Sequence, residues 1–267
     1  MTARKEELWL ICPDTHAPLH DEAAMNCMYD AIKIARPTGF LHLGDVGEFE
    51  SVSHWRWKRR KRPPLEYVIA DADKEIALVN QFLDEIDASL AGVGCENKVV
   101  TLGNHDDWLN QFCTEFPYLP QYRPGKAMRL LERGYWVHAS DSPRIPTVGK
   151  SKLRAYHGHH VGGQYHARHH ALKFGASVVY GHWHDTQMHS VQTLGGHHAA
   201  WSLGCLRNMN APFLGGRPTN WSHAFALVHV LPSGNYDLEV VNIEKGMAYL
   251  WGHKLDGNPV KTKRRKT

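Results

Sequence analysis

The stretch Val99-Val100-Thr101-Leu102-Gly103-Asn104-His105-Asp106 joins an apolar, β-branched run to a glycine and three polar side chains. Such a run reads as a strand, and the glycine ends it. The same pattern recurs along the chain. Leu8 to Cys12 leads to Asp14-Thr15-His16, and Phe40 to Leu43 leads to Gly44-Asp45. Leu153 to Tyr156 leads to His157-Gly158-His159, and Ser177 to Tyr180 leads to Gly181-His182-Trp183-His184. Strand ends are rigid and the loops after them are free to present side chains, so these clusters can converge at one sheet edge.

Helical patterns lie between the strands. Glu22 to Ala35 is helical by composition and is stopped by Pro37. Ile69, Ile76, Val79, Leu83, Ile86 and Leu90 recur at helical spacing and mark a long helix with one apolar face. A polar, basic loop is expected between Gly44 and Pro63-Pro64. From Gly134 onward strands dominate: Tyr135 to His138, His198 to Leu203, Phe225 to Leu231 and Leu238 to Ile243, with one helix around Gln164 to Phe174. Alternation of this kind is an α/β architecture. No repeat or linker divides the chain, so a single domain is expected over residues 1–255, with a basic, flexible tail at 256–267.

With 267 residues, 42% hydrophobic and 22% charged, the chain is globular rather than disordered or fibrous. No apolar run approaches the roughly 18 residues needed to span a bilayer, and the N-terminus lacks a signal-peptide core. The five cysteines have no paired spacing, which argues against zinc fingers and disulfide scaffolds and for reduced thiols in a cytoplasmic protein. Histidine is the anomaly: 20 residues, 11 of them between His157 and His198.

Asp and His at alternate positions, as in Asp14/His16 and His182/His184, place two side chains on one side of extended backbone. Carboxylate and imidazole donors without thiolate suit Mn, Fe, Ni, Co or Zn. A lone carboxylate after a glycine turn, such as Asp45, can bridge two ions roughly 3.5–4 Å apart. Each piece alone is weak, since an isolated Asp-x-His is commonly an accident and Gly-Asp is commonly a turn. Their joint occurrence in order, each at a strand end, points to a metal site. In the histidine cluster after Tyr156, any of His157, His159 and His160 has the chemistry of a ligand.

The ordered set Asp14-x-His16, Gly44-Asp45, Gly103-Asn104-His105-Asp106, His157 and Gly181-His182-x-His184 resembles the signature of the calcineurin-like metallophosphoesterases, over roughly residues 8 to 205. The resemblance implies a four-layer αββα sandwich of two mixed β-sheets flanked by helices. It implies two divalent ions, with Mn preferred: one held by Asp14, His16 and His184, the other by Asn104, His157 and His182, and Asp45 shared. His157 matches the family pattern because it directly follows a strand and precedes Gly158. His105 would be the catalytic histidine that is not a ligand, with Asp106 orienting its ring. The implied reaction is phosphoester hydrolysis by a hydroxide held between the ions.

The substrate is read from charge. Arg56, Lys58, Arg59, Arg60, Lys61 and Arg62 crowd one segment, and Lys261, Lys263, Arg264, Arg265 and Lys266 crowd the C-terminus. Without those 11 cations the chain carries 20 basic against 27 acidic residues, a balance of −7, although its net charge is +4. The first segment follows the Asp45 motif and interleaves Trp55 and Trp57, which can stack on unpaired bases while the cations neutralise phosphates. The Asp-Arg-Gly of the family's protein phosphatases and diadenosine tetraphosphatases is missing after Asp45. A nuclease or other phosphodiesterase acting on nucleic acid, with DNA preferred, is therefore the leading expectation. The alternatives are a phosphoesterase for a small nucleotide or phosphoprotein, and a non-catalytic nucleic-acid-binding protein. The intact His105 counts against the last.

Overall fold

In β1 (Glu7–Cys12) the residues Trp9 to Cys12 are all buried, as expected for a central strand covered on both faces. Their side chains alternate between two cores. Leu10 and Cys12 pack with the helices, whereas Trp9 and Ile11 pack toward a second sheet. The computed structural model describes residues 6–58 and 60–259, and the alternation seen in β1 organises all of them.

The chain continues through α1 (Glu22–Ala35), β2 (Gly39–His42), the one-turn α2 (His54–Trp57), α3 (Leu65–Ala91), β3 (Asn97–Thr101), α4 (Asn104–Glu115), the short α5 (Pro124–Ala127) and β4 (Tyr135–His138). Strands β1 to β4 run parallel in sequence order. Then follow β5 (Arg154–Tyr156), α6 (His166–Phe174), β6 (Val178–Tyr180), β7 (Thr186–Thr193), β8 (Gly196–Leu203), β9 (His223–Val230), β10 (Tyr236–Ile243), β11 (Met247–Leu250) and β12 (His253–Asp256). The larger sheet has the order β10-β9-β1-β2-β3-β4, with β9 antiparallel to both its neighbours. The smaller has the order β5-β6-β8-β7, with only β7 antiparallel.

Three cores define four layers. Helices α1, α3 and α4 cover one face of the larger sheet through Met28, Ile32, Leu83, Ile86 and Phe112. The two sheets meet through Ile11, Leu41, Val179, Leu203 and Val228. On the outer face of the smaller sheet, α6 packs Ala171 against Val178 and Tyr180. This is the expected αββα sandwich of two mixed sheets.

Local signals explain the helices. Asp21 caps α1, its Oδ1 accepting from the Ala24 amide at 2.9 Å, and Arg36 ends the helix in a left-handed conformation just before Pro37. The buried stripe of α3 runs Val68, Ala72, Val79, Phe82, Leu83, Ile86 and Leu90, so Ile69 and Ile76 lie at its half-buried edge.

Three expectations need correction. Gly103-Asn104-His105-Asp106 does not open a loop: Asn104 is the first residue of α4, a helix whose polar first turn hid it in the sequence. The basic loop contains a 3-10 turn at Glu50–Val52 and α2. The tail expected from residue 256 starts too early, because Asp256 closes β12, Leu255 is buried, and the Gly257 carbonyl accepts from Asn26 Nδ2 at 3.1 Å. Arg59 and the terminal cations Lys261 to Lys266 lie outside the described residues.

Candidate metal centre

Because β1, β2 and β3 are parallel, the segments carrying Asp14, His16, Asp45 and Asn104 leave the larger sheet at one edge. The segments after β5 and β6 bring His157, His182 and His184 to the same place, across the join between the sheets. Glycines permit the approach: a Cβ at Gly103 would collide with the Asp45 carboxylate, and one at Gly181 with that of Asp14. The backbone is bent sharply here. His16, Asp45, His182 and His184 all sit at positive φ, 49°, 47°, 69° and 61°.

Two groups of donors result, linked by a third made of His16, Asp45 and His105. Asp14, His16 and His184 form one, with His184 Nε2 3.1 Å from His16 Nε2 and 3.2 Å from Asp14 Oδ2. Asp45, His157 and His182 form the other, with His157 Nε2 3.3 Å from Asp45 Oδ2 and 3.2 Å from His182 Nδ1. Asn104 Oδ1 joins the second group at 2.9 Å from His157 Nε2. Asp45 Oδ2 also lies 3.6 Å from His16 Nε2, so its carboxylate touches both groups. All seven expected ligand residues therefore converge. Among the three candidates after β5, it is His157 that enters the cluster, whereas His160 stacks on Tyr156.

The hydrogen bookkeeping fits a cation. His157 Nδ1 lies 3.0 Å from the Leu43 carbonyl, which only accepts, so Nδ1 keeps its proton and Nε2 is the nitrogen that can give up a proton to a cation. Nε2 faces Asn104 Oδ1, the Asp45 carboxylate and His182 Nδ1. Burial opposes charge on His157, yet Asp45 and Asp14 raise its pKa to about 9, so a positive charge is favoured at this spot. The rings of His182 and His16 are held neutral, as ligands must be. Burial, then His157, lowers His182 to about 3, and burial, then His105, lowers His16 to about 4. His184 Nδ1 is buried without a hydrogen-bond partner. His16 Nδ1 lies 2.8 Å from Glu48 Oε2 but out of line for a hydrogen bond.

His105 stands beside the cluster. Its amide donates to Asp45 Oδ1 at 2.8 Å, its Nδ1 donates to the Glu48 carbonyl at 2.7 Å, and its ring packs against Trp108, tilted by 35° with centroids 3.8 Å apart. It also lies within ligand range of His16 and Asp45. The role expected for Asp106 is not the one observed. Asp106 does not orient the His105 ring; its carboxylate accepts from the Gly103 amide at 2.8 Å and from the Val46 amide at 3.1 Å, tying the Asp45 turn to the start of α4. Its side chain is fixed by those amides before it can reach the ring.

Sequence reasoning missed several supporting residues. Buried His42 accepts from the Gly44 amide at Nδ1 and bonds Thr15 Oγ1 at Nε2, bracing the turns that carry His16 and Asp45. Glu48 joins the site to Arg207, whose Nη2 lies 3.0 Å from Glu48 Oε1. Burial opposes ionisation of Glu48, but His16, His105 and Arg207 hold its carboxyl below the usual range. Glu48 lies just after Asp45 in the sequence and was readable there; Arg207 belongs to no motif.

Two cavities border the cluster. One of about 780 Å³ reaches it at His105 and Glu48, and one of about 280 Å³ at His157 and His160. Of the basic segment, Arg56 lines the larger cavity, and Lys58 and Arg60 line an adjoining one. Lys61 is exposed. Arg62 is not free for a ligand: its Nη1 is held at 2.6 Å by both carboxylate oxygens of Glu115, and its guanidinium lies over Phe112 and Phe116.

No protein-family model matches the chain, and no curated protein matches it significantly. Among solved structures, vacuolar protein sorting 29 from Cryptosporidium parvum superposes with a TM-score of 0.45 and 11% identity, over 92% of this chain and 96% of that one. YfcE, a phosphoesterase from E. coli, gives 0.40 and 18%, over 89% and 100%. TT1561 of Thermus thermophilus gives 0.41 and 10%, over 89% and 99%. The layering of two mixed sheets between helices is the αββα arrangement expected from the sequence. Likenesses this distant carry no argument about activity, which rests on the residues of the site. Among the described residues no helix is long and apolar enough to cross a membrane, and all five cysteines are unpaired and buried.

Proposed function

We propose that the protein is a dinuclear-metal phosphodiesterase acting on nucleic acid. The observation that carries the reading is the pair of donor groups with Asp45 in contact with both, and His105 at their margin. When bound, two divalent ions supply charge neutralisation to a phosphoryl group and acidify a water molecule. Asp14, His16 and His184 would hold one ion, Asn104, His157 and His182 the other, and Asp45 both. Leu43 fixes the tautomer of His157 so that Nε2 faces inward. With Nδ1–H committed to the Glu48 carbonyl, the His105 ring in its imidazolium form would have Nε2–H left to donate to a phosphoryl or leaving-group oxygen. Proton donation of this kind contributes about 10²- to 10⁴-fold.

A diester carries an organic group on each side of phosphorus, and cavities border the cluster at His105 and at His157. The cations Arg56, Lys58 and Arg60 beside the larger cavity favour a polyanion over a neutral alcohol. The size of that cavity also suits a small nucleotide, which is the second reading. A substrate panel separates them: bis-p-nitrophenyl phosphate, p-nitrophenyl phosphate, a dinucleotide, and DNA and RNA oligonucleotides, each with Mn²⁺. The expected result is hydrolysis of the diester over the monoester, and of oligonucleotides with KM rising steeply with salt. Replacing Arg56, Lys58 and Arg60 by Ser should flatten the log-affinity against log-salt slope by about 0.7 for each single-strand phosphate no longer neutralised. Preference for p-nitrophenyl phosphate would sink the diester assignment, and hydrolysis of the dinucleotide alone would favour the second reading.

A further inference from the structure

We propose that Trp55 and Phe213 form a stacking clamp for one unpaired nucleobase next to the scissile phosphate, making the protein selective for single-stranded over duplex nucleic acid; this rests on the nucleic-acid reading above. The two rings come from distant parts of the chain, Trp55 from α2 and Phe213 from the 3-10 turn Pro212–Leu214, and both line the cavity of about 780 Å³ that reaches His105. That volume lies within the range of about 300–1,000 Å³ typical of small-molecule sites. Each ring is more than half exposed, Trp55 at 58% and Phe213 at 63%, although large apolar side chains are usually covered. Trp57, its sequence neighbour, is half-buried and its indole does not line the cavity.

Each exposed ring has a cation over one face. Lys58 Nζ lies 4.5 Å from the centroid of the Trp55 ring. Phe213 is flanked by the Arg207 guanidinium at 5.5 Å and the Trp221 ring at 6.0 Å, and Arg207 is itself locked to Glu48. Aromatic faces held beside cations match the two parts of a nucleotide, a flat base and an anionic phosphate. The cations Arg56, Lys58 and Arg60 lead away from the clamp along the adjoining cavity, a path for the neighbouring phosphates. Both faces of a base are covered within a duplex stack, so a stacking site beside the reacting atoms admits only a base that is already unpaired or has been flipped out.

The test uses Mn²⁺-loaded protein and fluorescently labelled phosphorothioate oligonucleotides, single-stranded and duplex, read by anisotropy. The single strand should bind at least about tenfold more tightly than the duplex. Trp55→Ala and Phe213→Ala should each weaken single-strand binding by about tenfold, as loss of one stacked base requires, and narrow the preference over duplex. Trp55→Phe and Phe213→Tyr should restore it, and an abasic residue at one position flanking the cut should reproduce the loss in the wild type. Equal affinity for single strand and duplex would overturn the clamp while leaving the nuclease reading intact. So would equal losses on both forms in the Ala variants, which would mark a structural role. If the wild type hydrolyses bis-p-nitrophenyl phosphate but neither binds nor cuts any oligonucleotide, the nucleic-acid reading falls and the clamp with it.

Discussion

Two groups of histidines lie on either side of the smaller sheet, and their hydrogen bonds differ in kind. Behind the sheet, His166 of α6 is satisfied at both nitrogens, with Nδ1 2.7 Å from the Tyr180 hydroxyl and Nε2 2.9 Å from Asp185 Oδ1. Its ring stacks on Trp183, between His182 and His184. At the metal centre, by contrast, nitrogen faces nitrogen: His16 against His184 and His157 against His182. A buried polar group without a complementary partner is destabilising. The two groups teach that burial alone does not mark a candidate ligand histidine, since His166 and His157 are buried alike; what differs is the partner, another imidazole nitrogen rather than a hydroxyl and a carboxylate.

The sharpest way to break that contrast is Asp45→Ala. Removing the shared carboxylate should take the purified protein from about two bound ions to fewer than one and abolish turnover, which elemental analysis and a bis-p-nitrophenyl phosphate assay would show. Full metal content in that variant would dissolve the two-group assignment. His105→Ala should keep its ions and lose about 10² in turnover; release of metal would place His105 among the ligands.

Titration sharpens the contrast next. His157 is raised from its ordinary 6.5 to about 9 in the folded, metal-free protein. The stabilisation from its protonated form is thus fully present below about pH 6.5 and is lost as pH rises through about 9. Metal must displace that proton, so ion affinity should change in the opposite sense, weakening by roughly tenfold per pH unit below about 9. Urea melts of metal-free protein and calorimetric titration with Mn²⁺ at several pH values would check the two slopes. Slopes of the same sign would contradict the proton–metal exchange.

The smallest effect separates the groups directly. In metal-free protein, His166→Ala leaves the buried Tyr180 hydroxyl without its partner and takes one of the partners of Asp185 Oδ1, so it should destabilise by about 1–3 kcal/mol, whereas His182→Ala relieves a crowding of imidazole nitrogens and should cost less. Denaturant midpoints measured with and without Mn²⁺ should exchange this order, because the ion gives His182 its partner. A His182→Ala variant that is the less stable of the two without metal would mean that its ring is a structural group.

Most strands of the two sheets were readable because buried strands announce themselves as short apolar runs closed by Gly or Pro, as at Leu8 to Cys12 and Phe40 to Leu43. The ligand set was readable because each member follows such a run. What escaped the sequence was what depends on contacts distant in the chain. Arg207 reaches Glu48 only through the fold. Asp106 turned from the adjacent ring to the amides of Val46 and Gly103 because three-dimensional neighbours outcompeted the sequential one. Helix α4 was hidden by its polar first turn, and the edge strand β7 by alternating exposure with few apolar residues on either face. Among the cations, sequence could not separate Arg62, bound to Glu115, from Arg56 beside the cavity.

The left-handed backbone at His16, Asp45, His182 and His184 has a consequence for the history of such a chain. An L-residue in that conformation gives up about 1–2 kcal/mol that glycine would not, so the fold holds four of its candidate ligands at a standing disadvantage. A descendant released from catalysis would gain stability by drifting to glycine at these positions, without disturbing either sheet. Non-glycine residues kept at those four sites in a related sequence are therefore a record of selection for chemistry, and glycines there would mark a scaffold that has retired from it.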